Sequence, residues 1–560
     1  MNASTRFPGN VIPYPDEFVR RYQVDGFWRE ETIPQSLRRT AEQAPEALAL
    51  VTPDVRWTYR ELIRRADNVA AGLLRSGLEP GDAVILQLTN TAHAVSAWYG
   101  LLRAGLIPVC TLSLHRGHEI RQIAAKTGAR GHLVQADMPN FDMITFAGEI
   151  REELPHVEIL LTVGAIQGSP GVRIEDLEDQ PLSLTDLERL DAIEASSNLD
   201  APAVFQLSGG TTGTPKVIPR LHPEYWYNGA ATAKWWNLGS SDRLAFGLPL
   251  AHNAAIANAL FAAHSVGAAL LLATPKSDVL LKLMAQEGAT WLMSPPGVMR
   301  DYLSHPLFDE AFADVKTCVL TAAPVHRALF DEMQQRGVHV SQAFGMTEGL
   351  FLFTPLNSSD DLRAETVGVP ISPLDEVRLL EPGNDRQVAD GETGELCVRG
   401  PYTIRGYFAE PERNAVAFTQ DGFYRTGDLA ALVRIKDEDA YVICGRTKDL
   451  INRGGEKINA EEIESLLIRH DSVAEAALVA MPDERLGEKA CAFVALQEGA
   501  TTPSLSDLCA FLAQNGVAKF KWPERLEIVP SLPRTTIGKV QKLQLREQLA
   551  AKANFAGSVD

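Results

Sequence analysis

Three things are scarce in this chain, and each scarcity removes a class of function. Positive charge is outnumbered: 53 Lys and Arg face 72 Asp and Glu, a net charge of −19, so no nucleic-acid partner is expected. Cysteine is sparse and scattered. Cys110, Cys318, Cys397, Cys444, Cys491 and Cys509 make no CxxC or zinc-type spacing, and free thiols in a reducing cytoplasm are the expectation. Long apolar runs are nearly missing. The first residues, Met1-Asn2-Ala3-Ser4-Thr5-Arg6-Phe7-Pro8, lack the apolar segment of a secretory leader. The most apolar long run, 254–273, is long enough to span a bilayer but carries Asn258, His264, Ser265 and Gly267. It suits a buried helix followed by a buried strand, and no membrane partner is expected.

What remains is an ordinary globular composition, 45% hydrophobic and 22% charged. A chain of 560 residues exceeds one compact core, so one large part and at least one smaller part are expected. Helix-spaced segments at 33–44, 66–77 and 92–104 alternate with apolar segments of strand length. The latter include 83–88, 106–110, 204–207, 244–249, 268–272, 291–294, 317–321 and 339–342. Such alternation predicts parallel sheets covered by helices.

After about residue 365 the texture turns β-rich. Strands are predicted at 394–400 and 402–407, and a hairpin over 430–444 with the charged turn Lys436-Asp437-Glu438-Asp439. A second boundary falls near 445–449. A small α+β unit follows, with Asn459 and Glu462 as a helix-entry capping arrangement and a helix over 505–514. Strands are expected there at 476–479, 490–496 and 526–529. The predicted class is α/β: a large N-terminal domain (1–447) of helix-covered sheets with a β-rich subdomain (about 365–445). A small, mobile α+β C-terminal domain (448–560) completes it.

The densest chemistry is Ser208-Gly209-Gly210-Thr211-Thr212-Gly213-Thr214-Pro215-Lys216. Glycines let backbone N–H groups approach an anion, and hydroxyls and an ammonium add donors, so the segment can cradle a polyphosphate. It is not a P-loop, because Val217 and a strand follow Lys216 where that motif needs Ser/Thr and a helix. A flexible hairpin loop is the plainer alternative. Five further clusters stand out. His252 and Asn253 lie just past an apolar strand, where open α/β sheets bind ligands. Gly345-Met346-Thr347-Glu348 follows another strand and sets a hydroxyl beside a carboxylate suited to phosphate and Mg²⁺. Asp428 in Tyr424-Arg425-Thr426-Gly427-Asp428 would sit in a tight turn and could accept two ribose hydroxyls. Arg446-Thr447-Lys448-Asp449, with Asn452-Arg453-Gly454-Gly455-Glu456-Lys457, has the charge and glycine of a hinge or of any linker. Lys539 follows the turn Pro533-Arg534-Thr535-Thr536-Ile537-Gly538.

Taken in this order, the set resembles the adenylate-forming superfamily of acyl/aryl-CoA synthetases, luciferases and nonribosomal-peptide adenylation domains, over nearly the whole chain. Within it the chain looks most like stand-alone aryl-acid adenylating enzymes, the 2,3-dihydroxybenzoate- and salicylate-AMP ligases of siderophore assembly. That resemblance rests on Phe18-Val19-Arg20-Arg21-Tyr22, Leu114-His115-Arg116, Ala251-His252-Asn253, Gly400-Pro401-Tyr402-Thr403-Ile404-Arg405-Gly406-Tyr407 and Ile451-Asn452-Arg453-Gly454-Gly455-Glu456-Lys457.

The resemblance implies that Ser208 to Lys216 holds the ATP β- and γ-phosphates and that Thr347 meets the α-phosphate. Glu348 would bind Mg²⁺, Asp428 the ribose with Arg446 beside it, and Lys539 would bridge the acid's carboxylate and the α-phosphate. Lys448 would be the hinge about which the C-terminal domain turns, bringing the face of Gly454, Gly455 and Lys457 to the site. There a phosphopantetheine thiol of a carrier protein, or free CoA, would take the acyl group. The acid pocket would be lined by His252, Asn253, Asn258, Ala322, Ala323, Gly345 and Met346. Amino-acid-activating relatives have Asp where Asn253 stands, and a buried carboxylate beside an uncharged ring is costly, so Asn implies an aryl acid. Asn258, Ala254-Ala255 and Ala322-Ala323 depart from the dihydroxybenzoate pattern and point to a substituted or heteroaromatic acid. A catalytically silent binding relative is the alternative from another class.

Overall fold

The computed structural model describes residues 10–208, 216–453, 456–483, 485–534 and 539–556, with side chains for all of these but Lys457 and 551–556. Two compact units emerge. The first comprises Met1–Ala364, Val369–Glu376 and Arg399–Tyr424; the second comprises Glu365–Gly368, Val377–Val398 and Arg425–Asp560. Most of the β-rich stretch thus falls in the second unit.

The first unit holds two large sheets. One runs Val369–Pro370, Phe351–Phe353, Val340–Gly345, Thr317–Leu320, Trp291–Ser294, Arg243–Phe246, Ala269–Leu272, Leu48–Val51 and Arg56–Thr58 in spatial order. Its six central strands are parallel and the edges antiparallel. The other runs Val172–Arg173, Ile159–Val163, Gly131–Gln135, Ala83–Gln87, Ile107–Cys110, Pro202–Leu207 and Val217–Leu221, parallel except for the last pair. The strands are buried on both faces and accordingly read as continuous apolar runs. Helices such as Tyr59–Arg75 and Ala92–Arg103 cover them, the first entered through a Thr58/Glu61 capping box.

The run 254–273 forms helix then strand, as expected, with one irregularity. Between Asn253–Ala255 and Ala262–Ser265 the helix widens to a π-helical turn over Ile256–Phe261, and Asn258 lies in it. Such turns recur at functional sites. The predicted strand at 402–407 does not exist: Gly400–Tyr407 is irregular. Its backbone is satisfied from outside a ladder. Trp28 donates to Pro401 O (2.8 Å), Tyr14 to Thr403 O (2.6 Å), and Ile404 N to Glu348 O (2.9 Å).

In the second unit, Glu376–Leu380, Gly394–Arg399, Tyr424–Ile435 and Glu438–Arg446 make a four-stranded sheet. Its last two strands are the predicted hairpin, turned by Lys436 and Asp437, both at positive φ. A further sheet orders Glu456–Asn459, Leu450–Arg453, Gly487–Leu496 and Val473–Asp483, with Arg525–Ile528 parallel to Gly487–Leu496. Alternate residues of the two long strands feed separate cores: Leu478 and Val494 on one face, Val479 and Phe493 on the other. Asn459 caps the helix Ala460–Leu467 through Glu461 N; Glu462 does not close a capping box but pairs with Lys521 (2.8 Å). Among the described residues, no helix is long and apolar enough to cross a membrane.

Candidate active site

Parallel sheets present their ligand-binding loops at the carboxyl ends of their strands. In the nine-stranded sheet, Arg243–Phe246, Thr317–Leu320 and Val340–Gly345 lead into the segments bearing His252-Asn253, Ala322-Ala323 and Met346-Thr347-Glu348. In the other sheet, Pro202–Leu207 ends at Ser208, whose N–H donates to Lys216 O at 3.1 Å, so the pair closes the base of the hydroxyl-rich segment. Gly209, Gly210, Thr211, Thr212, Gly213 and Thr214 lie outside the described residues.

Lys216 and Glu348 meet through one phenol. Lys216 Nζ donates to Tyr407 Oη at 3.1 Å, and Tyr407 Oη donates to Glu348 Oε1 at 2.8 Å. Tyr424 Oη lies 2.7 Å from the same oxygen. Tyr407 has one proton, spent on Glu348, so Lys216 and Tyr424 fill its two lone pairs. Burial, then the neighbouring Glu348 charge, holds the Tyr407 phenol well above its ordinary pKa, so it stays a neutral donor. Asn414 pins the Tyr407 backbone from both sides (2.8 and 2.9 Å).

A second fixed point is Arg220, fully buried on the strand Val217–Leu221. Its guanidinium forks onto Glu224 (2.9 and 2.7 Å) and reaches Thr347 O (3.0 Å), Asn253 Oδ1 (3.2 Å) and Tyr402 O (3.4 Å). Burial opposes its charge, but Glu224 outweighs that and the pKa moves up. One cation thus orients the Thr347 backbone and the Asn253 amide together. Sequence reading passed over Arg220 and Glu224, although an Arg in an apolar strand with Glu four residues on is a signal of a buried pair. Nothing local in the sequence marks Tyr407, whose role comes from partners distant in the chain.

The backbone here is constrained. Gly349 has φ +99°, and a Cβ on it would lie 1.9 Å from Tyr402 O. Gly345, exposed, would place a Cβ 2.1 Å from the Phe351 ring. Ala322, half-buried, sits at φ +72°, a glycine-like conformation on a residue with a side chain; Ala323 is exposed. Asn258 is buried, its Oδ1 accepting from Thr232 Oγ1 at 3.0 Å. His252 precedes the helical segment as its N-cap and is half-buried, as are Met346 and Thr347.

In the second unit, Asp428 is not in a tight turn. It belongs to the strand Tyr424–Ile435, buried and in register with Arg446, whose Nε meets Asp428 Oδ1 at 2.9 Å. Gly427 beside it is left-handed (φ +73°), and this local twist is what the sequence presents as a turn. Lys448 is exposed in the short 3₁₀ turn Thr447–Asp449. Lys539 is exposed next to Val540, which bridges to Arg534. Gly454, Gly455 and the Lys457 side chain lie outside the described residues.

Residues 37–408 match the model of the AMP-binding enzyme family, and 462–539 that of the AMP-binding enzyme C-terminal domain. The chain belongs to the AMP-binding enzymes. Across this family it is 39% identical over 558 residues to a salicylyl-CoA synthase / salicylate adenylyltransferase of a Streptomyces species, covering 98% of this chain and 99% of that one. It is 36% identical over 553 residues to the 2,3-dihydroxybenzoate-AMP ligase of Bacillus subtilis, covering 96% and 98%. Its fold is similar to that of ATP-bound MatB from Rhodopseudomonas palustris, with a TM-score of 0.81 and 26% identity over 92% of this chain and 98% of that one. AMP-binding enzymes use ATP.

Proposed function

We propose that this AMP-binding enzyme is an aryl acid–AMP ligase. It activates an aromatic carboxylic acid with ATP, releasing pyrophosphate, and passes the acyl group to the phosphopantetheine thiol of a separate carrier protein, as in siderophore assembly. The observation that carries the reading is the joint orientation of Asn253 and Thr347 by Arg220: the neutral amide proposed to face the ring and the residue proposed to face the α-phosphate share one buried anchor.

In the first step a carboxylate oxygen of the acid bonds to the α-phosphorus, the bond from that phosphorus to the β-bridging oxygen breaks, and pyrophosphate departs. Charge builds on the phosphoryl oxygens, and fixed cations and donors lower the barrier. Lys216, held by Tyr407, supplies one ammonium at the phosphate-holding segment, and Lys539 supplies another between carboxylate and α-phosphate. Asp428, oriented by Arg446, receives the ribose hydroxyls.

Glu348 suits Mg²⁺. That ion takes one or two carboxylates plus phosphate oxygens and keeps its own waters. Glu348 offers one buried carboxylate, and among the described residues no cluster of three acidic, His or Cys side chains forms a cage of its own. When bound, the ion would neutralise the leaving pyrophosphate.

In the second step the thiol sulfur bonds to the acyl carbon, the carbon–oxygen bond to AMP breaks, and the thiol proton leaves to solvent. On this reading the boundary falls at 447/448, Lys448 is the hinge, and Gly454, Gly455 and Lys457 front the thiolation state. CoA as acceptor is the second reading, favoured by the CoA product named in the Streptomyces relative.

ATP–pyrophosphate exchange with a panel of aryl acids tests the first step, and supplying CoA or a phosphopantetheinylated carrier tests the second. Lys539→Ala should abolish exchange and retain ATP binding. Undiminished exchange in that variant contradicts its role.

A further inference from the structure

The helix His222–Trp235 carries a polar stripe on a buried face. Glu224, Asn228 and Thr232 follow one another at four-residue spacing, with Arg220 just ahead of the helix, and none is more than 2% exposed. A helix brings such positions onto one side. The stripe faces the segment bearing Asn253 and Asn258. Arg220 bonds Asn253 near the helix start, and Thr232 bonds Asn258 toward its end. The two helices are in close contact, for a Cβ on Gly229 would lie 2.4 Å from Phe261 Cβ in the π-helical turn.

Asn228 sits between those two bonds, one turn after Glu224 and one before Thr232. It is 0% exposed, yet neither Nδ2 nor Oδ1 has a partner among the described residues. Every other member of the stripe is satisfied. A buried amide with both ends unmet is destabilising, and an apolar leucine with the same side-chain branching leaves no polar atom unmet. The amide is thus unexplained by folding alone.

We propose that Asn228 is a specificity-determining residue that reads a polar atom of the aryl acid's ring, such as a ring nitrogen or a second hydroxyl or amino group, in addition to the substituent met by Asn253. This rests on the aryl-acid reading and narrows its substrate class. The amide both donates and accepts, so it can serve either kind of ring group. A site built to hydrogen-bond a ligand rejects the analogue lacking that group, because the site's own polar atoms are left unpaired.

The experiment measures ATP–pyrophosphate exchange by the full-length wild type, Asn228→Leu and Asn228→Ser. Benzoate and salicylate are compared with their ring-polar counterparts picolinate, 3-hydroxypicolinate, 3-hydroxyanthranilate and 2,3-dihydroxybenzoate, and each variant is melted without ligand. The wild type is expected to favour at least one ring-polar acid over its plain counterpart by about tenfold or more in kcat/KM. Asn228→Leu should erase that preference, leave the plain acid within about threefold, and melt no lower than wild type. Asn228→Ser should keep part of the preference. A uniform loss for all acids, a lower melting temperature in both variants, or no wild-type preference overturns the proposal and leaves the aryl-acid reading standing. Absence of exchange with every aromatic acid would overturn that reading itself.

Discussion

Lys216 and Glu348 are coupled through a single oxygen: the Tyr407 hydroxyl accepts from the ammonium at 3.1 Å and donates to the carboxylate at 2.8 Å. The phenol is thereby a hydrogen-bonded spacer between the side chains proposed for the phosphate and Mg²⁺ sites.

Tyr407→Phe removes this spacer while keeping the ring. Hydrogen bonds to charged groups contribute about 1.5–3 kcal/mol, which corresponds to a loss of roughly tenfold to a hundredfold if the alignment is used in the transition state. Exchange kinetics should show the fall mainly in kcat, with a near-native circular dichroism spectrum. An unaltered kcat would mean that the phenol is only packing.

Arg220→Met should be severely destabilising, by about 3–5 kcal/mol, because it strands Glu224 in a buried site. The double variant Arg220→Met/Glu224→Leu should regain most of that stability. It should not regain activity, since Thr347 O and Asn253 Oδ1 still lack their donor. Denaturant melts and exchange assays on both variants separate the two effects, and recovery of full activity in the double variant contradicts the positioning role.

Ala322 occupies a left-handed conformation that costs a residue with a Cβ about 1–2 kcal/mol. Ala322→Gly relieves that strain, partly offset by the greater freedom glycine gives the unfolded chain. A gain of roughly 0.5–1 kcal/mol is expected in chemical denaturation. A loss would show that the methyl group contributes packing that outweighs the strain.

His132, His222 and His264 are buried, and desolvation lowers their pKa values to about 3, 4 and 4. The unfolded chain binds protons at these positions below about pH 6.5 and the folded chain does not. Stability conferred by the three is therefore present above pH 6.5 and lost as pH falls toward 4. Each contributes up to about 1.4 kcal/mol per pH unit. Urea titrations from pH 4.5 to 7.5 should show this slope, and His264→Gln should reduce it by about a third. A flat profile would contradict the burial of these rings.

Much of the scaffold was legible in the pattern of residues. The strand Trp291–Ser294 and the helix Leu505–Gln514 appear at their predicted bounds, because a short apolar run between a threonine and a serine-proline break, or an amphipathic run capped by serine, admits few alternatives. The loop Gly400–Tyr407 misled, since Tyr402 and Ile404, alternating with Thr403 and Arg405, look like a strand. Its partners Tyr14, Trp28 and Glu348 are distant in the chain, and it is they that satisfy its backbone. Asp428 misled for a local reason: glycine before an aspartate marks a turn, but here Gly427 is a twist within a paired strand.

By itself the sequence determined the family, the α/β class and the residue types available for chemistry, because motif spacing and hydrophobic periodicity are properties of a linear chain. Only the tertiary structure decided which of those residues share a hydrogen bond. The Lys216–Tyr407–Glu348 bridge, the Arg220 anchor and the unpartnered Asn228 each depend on which groups burial brings together and which it leaves without water.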